Sequence, residues 1–256
     1  MIDEVALGET GLRVSRLCFG TGTQGWRGRS DQSDLGLDGL SQLLHFAHDL
    51  GVTFWDTADQ YGTHAHVAKA LTEVGRDKVT ITTKTVSRTA AEVEADVTRF
   101  LRELHTDYID ILLLHCLTEA DWPEKMQGPM DVLSRLKKQG VIRAVGCSCH
   151  DFGALQASAE TDWTDVNLVR INYAGDTMCA GPELVRPEID KMVTAGKGVY
   201  GMKVVGGGGD LTSDPEKAIR YVCNQTEIHA LVMGMVNEAQ VLENTGLVSD
   251  AVSTLA

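Results

Sequence analysis

Asp56, Tyr61, Lys84 and His115 are the residues of this 256-residue chain whose types and placement could carry chemistry. Each ends, or lies just beyond, one of three consecutive apolar and β-branched runs. VTFWDTA (52–58) holds Asp56 with Tyr61 following, VTITTKT (79–85) holds Lys84, and YIDILLLHC (108–116) holds His115. An ammonium at Lys84 beside the Tyr61 hydroxyl would stabilise the phenolate and lower its pKa from about 10, making the phenol a proton donor near neutrality. Asp56 would hold that ammonium in place and compensate its burial, and His115 would hydrogen-bond to a substrate carbonyl and polarise it. Such a set protonates a developing alkoxide, which is half of a carbonyl reduction. The other half, a hydride, comes from no side chain and requires a cofactor.

These residues must be positioned by repeated strand–helix units. Eight short runs read as strands, at 16–22, 52–58, 79–85, 108–116, 141–148, 166–173, 198–205 and 228–235, with helical spacing between them. Leu40, Leu43, Leu44 and Ala47 mark the apolar face of the first helix, and Val93, Val97, Leu101 and Leu104 that of the third. Gly51 and Gly140 fall where helices should end, and Asp214 before Pro215 reads as an N-cap followed by a first-turn proline. Eight such pairs without an intervening linker predict an α/β fold, a (β/α)8 TIM barrel formed as one domain over residues 1–256. A Rossmann reading is weaker: GTGTQG (20–25) follows a strand, but no acidic residue closes a second strand about 20 residues later. EVALGETGLRV, ahead of the first strand, predicts a hairpin around Glu9-Thr10-Gly11 that closes the barrel floor. In this barrel the chemistry sits at the C-terminal ends of the strands, where all four residues above fall.

Composition narrows the partners. With 23 Lys and Arg against 36 Asp and Glu the net charge is −13, which opposes nucleic-acid and anionic-membrane binding. No apolar run approaches the roughly 20 residues of a membrane span, and the opening MIDEVALGETGLRVSR lacks signal-peptide order, so a cytoplasmic location is expected. Six cysteines without a CxxC pair predict reduced thiols. No metal is expected: His64 and His66 start a helix two residues apart and point to different sides. Cys147 and Cys149 are read as straddling a strand end, one packing and one lining a pocket.

DTADQYG (56–62), ITTKT (81–85) and YIDILLLH (108–115) resemble aldo-keto reductases. So do LGETGLRVSRLCFGTG (7–22), IRAVGCS (142–148) and EAQVLEN (238–244), in the family's order along the whole chain. The resemblance implies a TIM barrel that binds NADP(H) or NAD(H) without a Rossmann motif. Tyr61 would be its proton donor, with Lys84 and Asp56 tuning it and His115 orienting the carbonyl of a small aldehyde, ketone or alcohol. Gly22 and Thr23 of the first loop join the implied cofactor set. The family places Ser-Asn after strand five and Gln on strand six to hold the nicotinamide carboxamide; this chain has Ser148-Cys149-His150 and Arg170. Met202 stands for the family's ring-stacking Tyr, while Lys203 and the glycines Gly206 to Gly209 would meet the pyrophosphate. Gly234-Met235 and Gln240 replace the cations that grip a 2′-phosphate, leaving the choice of cofactor open, and Glu243-Asn244 would contact adenine. Trp26 and Arg27 on the first loop, Trp122 on the fourth, and His150 are expected at the substrate.

Two other readings stand beside reduction. Lys84 or Lys203 at a strand end could form a Schiff base as in barrel aldolases, and the substitutions at Cys149, Arg170 and Met202 suit a cofactor-binding protein with little turnover. Divided into eight units, 256 residues leave 32 per unit, so loops are short and a shallow, open pocket is expected, with the last helix running to Ala256.

Overall fold

The computed structural model describes residues 2–206, 210–225 and 227–253. A two-stranded antiparallel hairpin, β1 (Glu4–Ala6) and β2 (Arg13–Ser15), precedes eight parallel strands. These are β3 (Leu17–Gly20), β4 (Phe54–Asp56), β5 (Thr80–Thr85), β6 (Ile109–Leu117), β7 (Ile142–Cys149), β8 (Val166–Arg170), β9 (Gly198–Met202) and β10 (Ala230–Gly234). They close in sequence order, β10 pairing with both β9 and β3. The TIM barrel is therefore the architecture, and each predicted strand overlaps an observed one.

The outer layer follows the apolar spacing. The helices are α1 (Gly36–Asp49), α2 (His64–Val74), α3 (Ala90–Glu103), α4 (Trp122–Lys125), α5 (Gln127–Lys138), α6 (Phe152–Glu160), α7 (Pro182–Thr194), α8 (Asp210–Ser213), α9 (Pro215–Gln225) and α10 (Glu238–Ser253). Leu40, Leu43, Leu44 and Ala47 are buried on α1. On α3, Val93, Val97 and the C-cap Leu104 are buried as expected, but Phe100 takes the inner position beside a partly buried Leu101. Gly51 and Gly140 have φ of 90° and 77°, the left-handed exit that glycine reaches without strain. Asp214 Oδ1 accepts from Lys217 N, the expected N-cap of α9. The end of α10 at Ala256 lies outside the described residues, as do Gly207 to Gly209.

Two apolar clusters divide the core. The larger fills the space between strands and helices; the smaller is the barrel interior, where Cys18, Phe54, Ile111, Leu113, Ala144, Val166, Leu168, Tyr200 and Ala230 meet Leu7, Leu12 and Val14 of the hairpin. The hairpin thus plugs the floor, its leucines completing a core that an open barrel end would leave wet. Because strand side chains alternate, the inward set continues upward through Asp56, Lys84, His115, Arg170 and Met202. Among the described residues no helix is long and apolar enough to cross a membrane.

Candidate active site

Lys84 is completely buried on β5 and donates to Asp56 Oδ1 at 2.5 Å and to the Thr57 carbonyl at 2.9 Å. Burial is the largest influence and would depress its pKa, but the charge and hydrogen bond of Asp56 together with Tyr61 and Cys18 outweigh it and hold the ammonium above its ordinary value. The other oxygen of Asp56 accepts from the Tyr200 hydroxyl at 2.8 Å. Tyr200 is fully buried on β9 with its ring 5.1 Å from that of Phe54, so each carboxylate oxygen has a donor fixed by the core.

Tyr61 ends the single turn Asp59–Tyr61 and stands over this pair, with Lys84 Nζ 4.8 Å from its ring centroid. Gly62 completes the turn at φ 68°, where a Cβ would lie 2.0 Å from the Gly28 carbonyl oxygen, so only glycine fits. Across the cleft Gly22 and Gly25 form the slot for the ring: a Cβ on either would come within 2.2 or 2.3 Å of a ring carbon. Arg99 on α3 donates to Asp59 at 2.7 Å and anchors the turn from outside. The expectation of a net lowered phenol pKa is corrected here: burial raises it, Lys84 opposes that by charge and hydrogen bonding, and the balance lies above the ordinary value.

His115 meets Tyr61 edge to face, with centroids 5.8 Å apart, and its buried Nδ1 has no hydrogen-bond partner. Burial and the Lys84 charge push its pKa well below the usual value, so the ring is neutral at neutral pH. His150 follows along the same wall at 6.2 Å and is pushed down to about 4 by burial and the neighbouring cations Arg170, Lys203 and Lys84.

These groups open into a cavity of about 480 Å³ at the C-terminal rim of the barrel. Of the sequence-predicted residues, Asp56, Tyr61, His115 and His150 line it, as do Trp26 and the cofactor candidates Gly22, Thr23, Arg170, Met202, Lys203, Gly206 and Gly234. Lys84 reaches it only through Asp56 and Tyr61. Trp26 is 60% exposed at the mouth, and Arg27 is exposed beside it without lining the cavity. A Cβ on Gly234 would strike Thr23 Oγ1, so this glycine lets the first loop pack on β10; the buried Gln32 reinforces that seam by bonding Thr23 twice.

Other expected residues lie elsewhere. Cys147 and Cys149 do not straddle β7: residues two apart share a strand face, and both thiols point outward towards α6, with their sulfurs 3.8 Å apart. Cys149 bonds the Ala154 carbonyl and is absent from the cavity wall. Ser148 is fully buried, its hydroxyl accepts from Cys116 N–H at 3.1 Å, and it does not line the cavity. Trp122 is 2% exposed, donating to the Ala154 carbonyl and packing on Trp163; it borders a separate hollow below α4. Gln240 caps the start of α10 by accepting from Val236 N, while Met235 is buried. Glu243 is exposed and Asn244 buried on the same helix, outside the cavity. His64, once weighed as half of a metal pair, bridges Glu103 and Thr83 at 2.7 and 2.8 Å.

Sequence reasoning passed over Tyr200 and Cys116. Tyr200 was accessible by alternation, two residues before Met202. Cys116 was not: its backbone turns left-handed at φ 57° beside a register shift in β6, swinging a nominally outward side chain to the rim, 3.6 Å from His150 Nε2.

Comparison with known proteins agrees with this fold. The chain is 29% identical over 167 residues to the aldo-keto reductase YhdN of Bacillus subtilis, covering 57% of this chain and 47% of that one. It is 26% identical to the NADH-specific methylglyoxal reductase of Escherichia coli, over 67% of this chain and 59% of that protein. It thus spans about half the length of the curated relatives it matches. A putative aldo-keto reductase from Pseudomonas aeruginosa superposes with a TM-score of 0.82 at 25% identity, over 97% of this chain and 95% of the other. The model of the aldo/keto reductase family matches residues 16–216, and the chain belongs to that family.

Proposed function

We propose that the protein reduces an aldehyde or ketone, or oxidises the corresponding alcohol, with NADPH or NADH. The observation that carries this reading is the Asp56–Lys84 pair set directly behind Tyr61, with neutral His115 against the same ring. Lys203 at the rim, with no ion pair among the described residues, suits a dinucleotide phosphate, and Met202 and Gly206 would adjoin the same molecule. A nicotinamide cofactor, when bound against these residues, would supply the hydride that the carbonyl carbon accepts. Tyr61, held protonated at neutral pH by its burial, gives its proton to the carbonyl oxygen. The charge left on the phenolate is stabilised by Lys84, which Asp56 and the Thr57 carbonyl keep aimed at it. His115 donates a hydrogen bond to the same carbonyl oxygen and excludes water on one side. Tyr200 holds the carboxylate from below.

A Schiff base on Lys84 is disfavoured by the same contacts, because an ammonium held by a carboxylate and a carbonyl is not a free amine. Titration of NADPH and NADH by fluorescence, followed by a broad aldehyde and ketone panel, tests the reading. Saturable binding with turnover is expected. No binding at high micromolar cofactor contradicts the proposal, and binding without any turnover favours a cofactor-binding protein instead.

A further inference from the structure

Arg170 places a guanidinium on the cavity wall with no carboxylate against it among the described residues. Its Nη1 donates to the Thr177 carbonyl at 3.2 Å, its Nη2 to His150 Nδ1 at 2.9 Å, and its Nε is buried with no partner. Those partners are neutral, and among the described residues Arg170 makes no ion pair. A partly buried cation facing only neutral acceptors loses hydration that an anion would restore. The carboxylate already on the wall, Asp56, is engaged by Lys84 and Tyr200; Asp176 acts on Lys203, and Arg88 adds a further cation behind Cys116. The rim is thus locally positive in a chain of net charge −13.

Position identifies what the charge is for. Tyr61, His115 and His150 follow one another along the wall at 5.8 and 6.2 Å, and Arg170 is bonded to the last of them. A ligand whose carbonyl sat at Tyr61 and His115 and whose remaining atoms lay along this row would end at a guanidinium. We propose that the site takes carbonyl compounds that carry a carboxylate, and that Arg170 binds that carboxylate; this rests on the reading of Tyr61 as proton donor to a carbonyl. A neutral carboxamide would use one N–H of Arg170 and leave its charge uncompensated. A metal ion fits less well: donor atoms of His115, Cys116 and His150 lie within 4.8 Å of one another, but His150 Nδ1 accepts from Arg170, which puts the ring proton on Nε2, the nitrogen 3.6 Å from Cys116 Sγ.

The test compares succinic semialdehyde with its methyl ester, which keeps the carbonyl and removes the charge. The wild type should prefer the acid in kcat/KM by about tenfold or more, and Arg170→Gln should lower that acid-to-ester ratio at least about tenfold. The ratio cancels any change in cofactor affinity, and Arg170→Lys should retain part of it. Calorimetry with succinate needs no turnover: binding to the wild type should weaken about tenfold or more in Arg170→Gln. Equal use of acid and ester, a ratio unaltered by Arg170→Gln, or unchanged succinate affinity would overturn the proposal. Arg170-dependent succinate binding without turnover of either compound removes the reductase reading and leaves the anion site standing.

Discussion

The two walls of the cavity are built to different standards. Where proton transfer is proposed, Lys84 and both oxygens of Asp56 are hydrogen-bonded to groups fixed in the barrel core, and the Tyr61 ring is slotted between glycines. Farther along the rim, on β8 and β9, Arg170 has a buried Nε without a partner among the described residues and Met202 supplies a flexible thioether, while the thiol of Cys149 on β7 points away into the helix layer. Pre-set dipoles are what proton transfer to a developing charge needs, because they cost no reorganisation as the reaction proceeds. Binding a ligand tolerates looser parts, and Arg170, Met202 and Cys149 stand where the family resemblance leads one to expect other residues, whereas Asp56, Tyr61, Lys84 and His115 match the residue types it implies.

Breaking the saturated wall should have the largest effect. Lys84→Met strands a buried Asp56 carboxylate; it should cost about 3–5 kcal/mol of stability and lower kcat by two orders of magnitude or more. Chemical denaturation and steady-state kinetics on one sample check both. Tyr200→Phe keeps the ring on Phe54 and removes one hydrogen bond to a charged group, about 1.5–3 kcal/mol. A fall in kcat with KM nearly constant is expected, and an unchanged kcat would remove Tyr200 from the mechanism. Lys203→Met, on the looser wall, should weaken cofactor binding by about tenfold with little change in the thermal midpoint. A loss of stability there would erase the contrast between the walls.

The histidines give a pH test. Burial lowers the pKa values of His64, His115 and His150 in the folded protein. Each therefore contributes stability that is complete above the unfolded value of about 6.5 and is lost as pH falls towards the folded value. For His150 that window runs from about 6.5 down to about 4. Thermal midpoints should fall steadily across it, and a flat profile would mean these rings are not neutral in the fold. The smallest effect belongs to Cys149→Ala, which should leave cofactor affinity within about twofold while costing about 1 kcal/mol of stability.

The barrel was readable because apolar alternation and helical spacing are imposed by burial, and burial repeats eight times. The cluster of Asp56, Tyr61, Lys84 and His115 was readable because strand ends in this fold point into one mouth. What escaped depended on partners distant in sequence or on local backbone shape. Trp122 looked like an exposed loop aromatic, yet the short α4 tucks it against Trp163. Gln240 looked like a cofactor contact, although Asn237 and Gln240 carry capping spacing and the side chain bonds Val236 N. Cys147 and Cys149 needed only the period of two applied correctly. The left-handed turn at Cys116, by contrast, has no signature in YIDILLLHC.

The central claim is that Tyr61 delivers the proton. Tyr61→Phe preserves the ring between Gly22 and Gly25 and removes only the hydroxyl. With any carbonyl substrate that the wild type reduces, the account predicts cofactor affinity within about threefold and a kcat/KM lower by about 10²–10⁴. Retention of more than about a tenth of wild-type kcat/KM would contradict it.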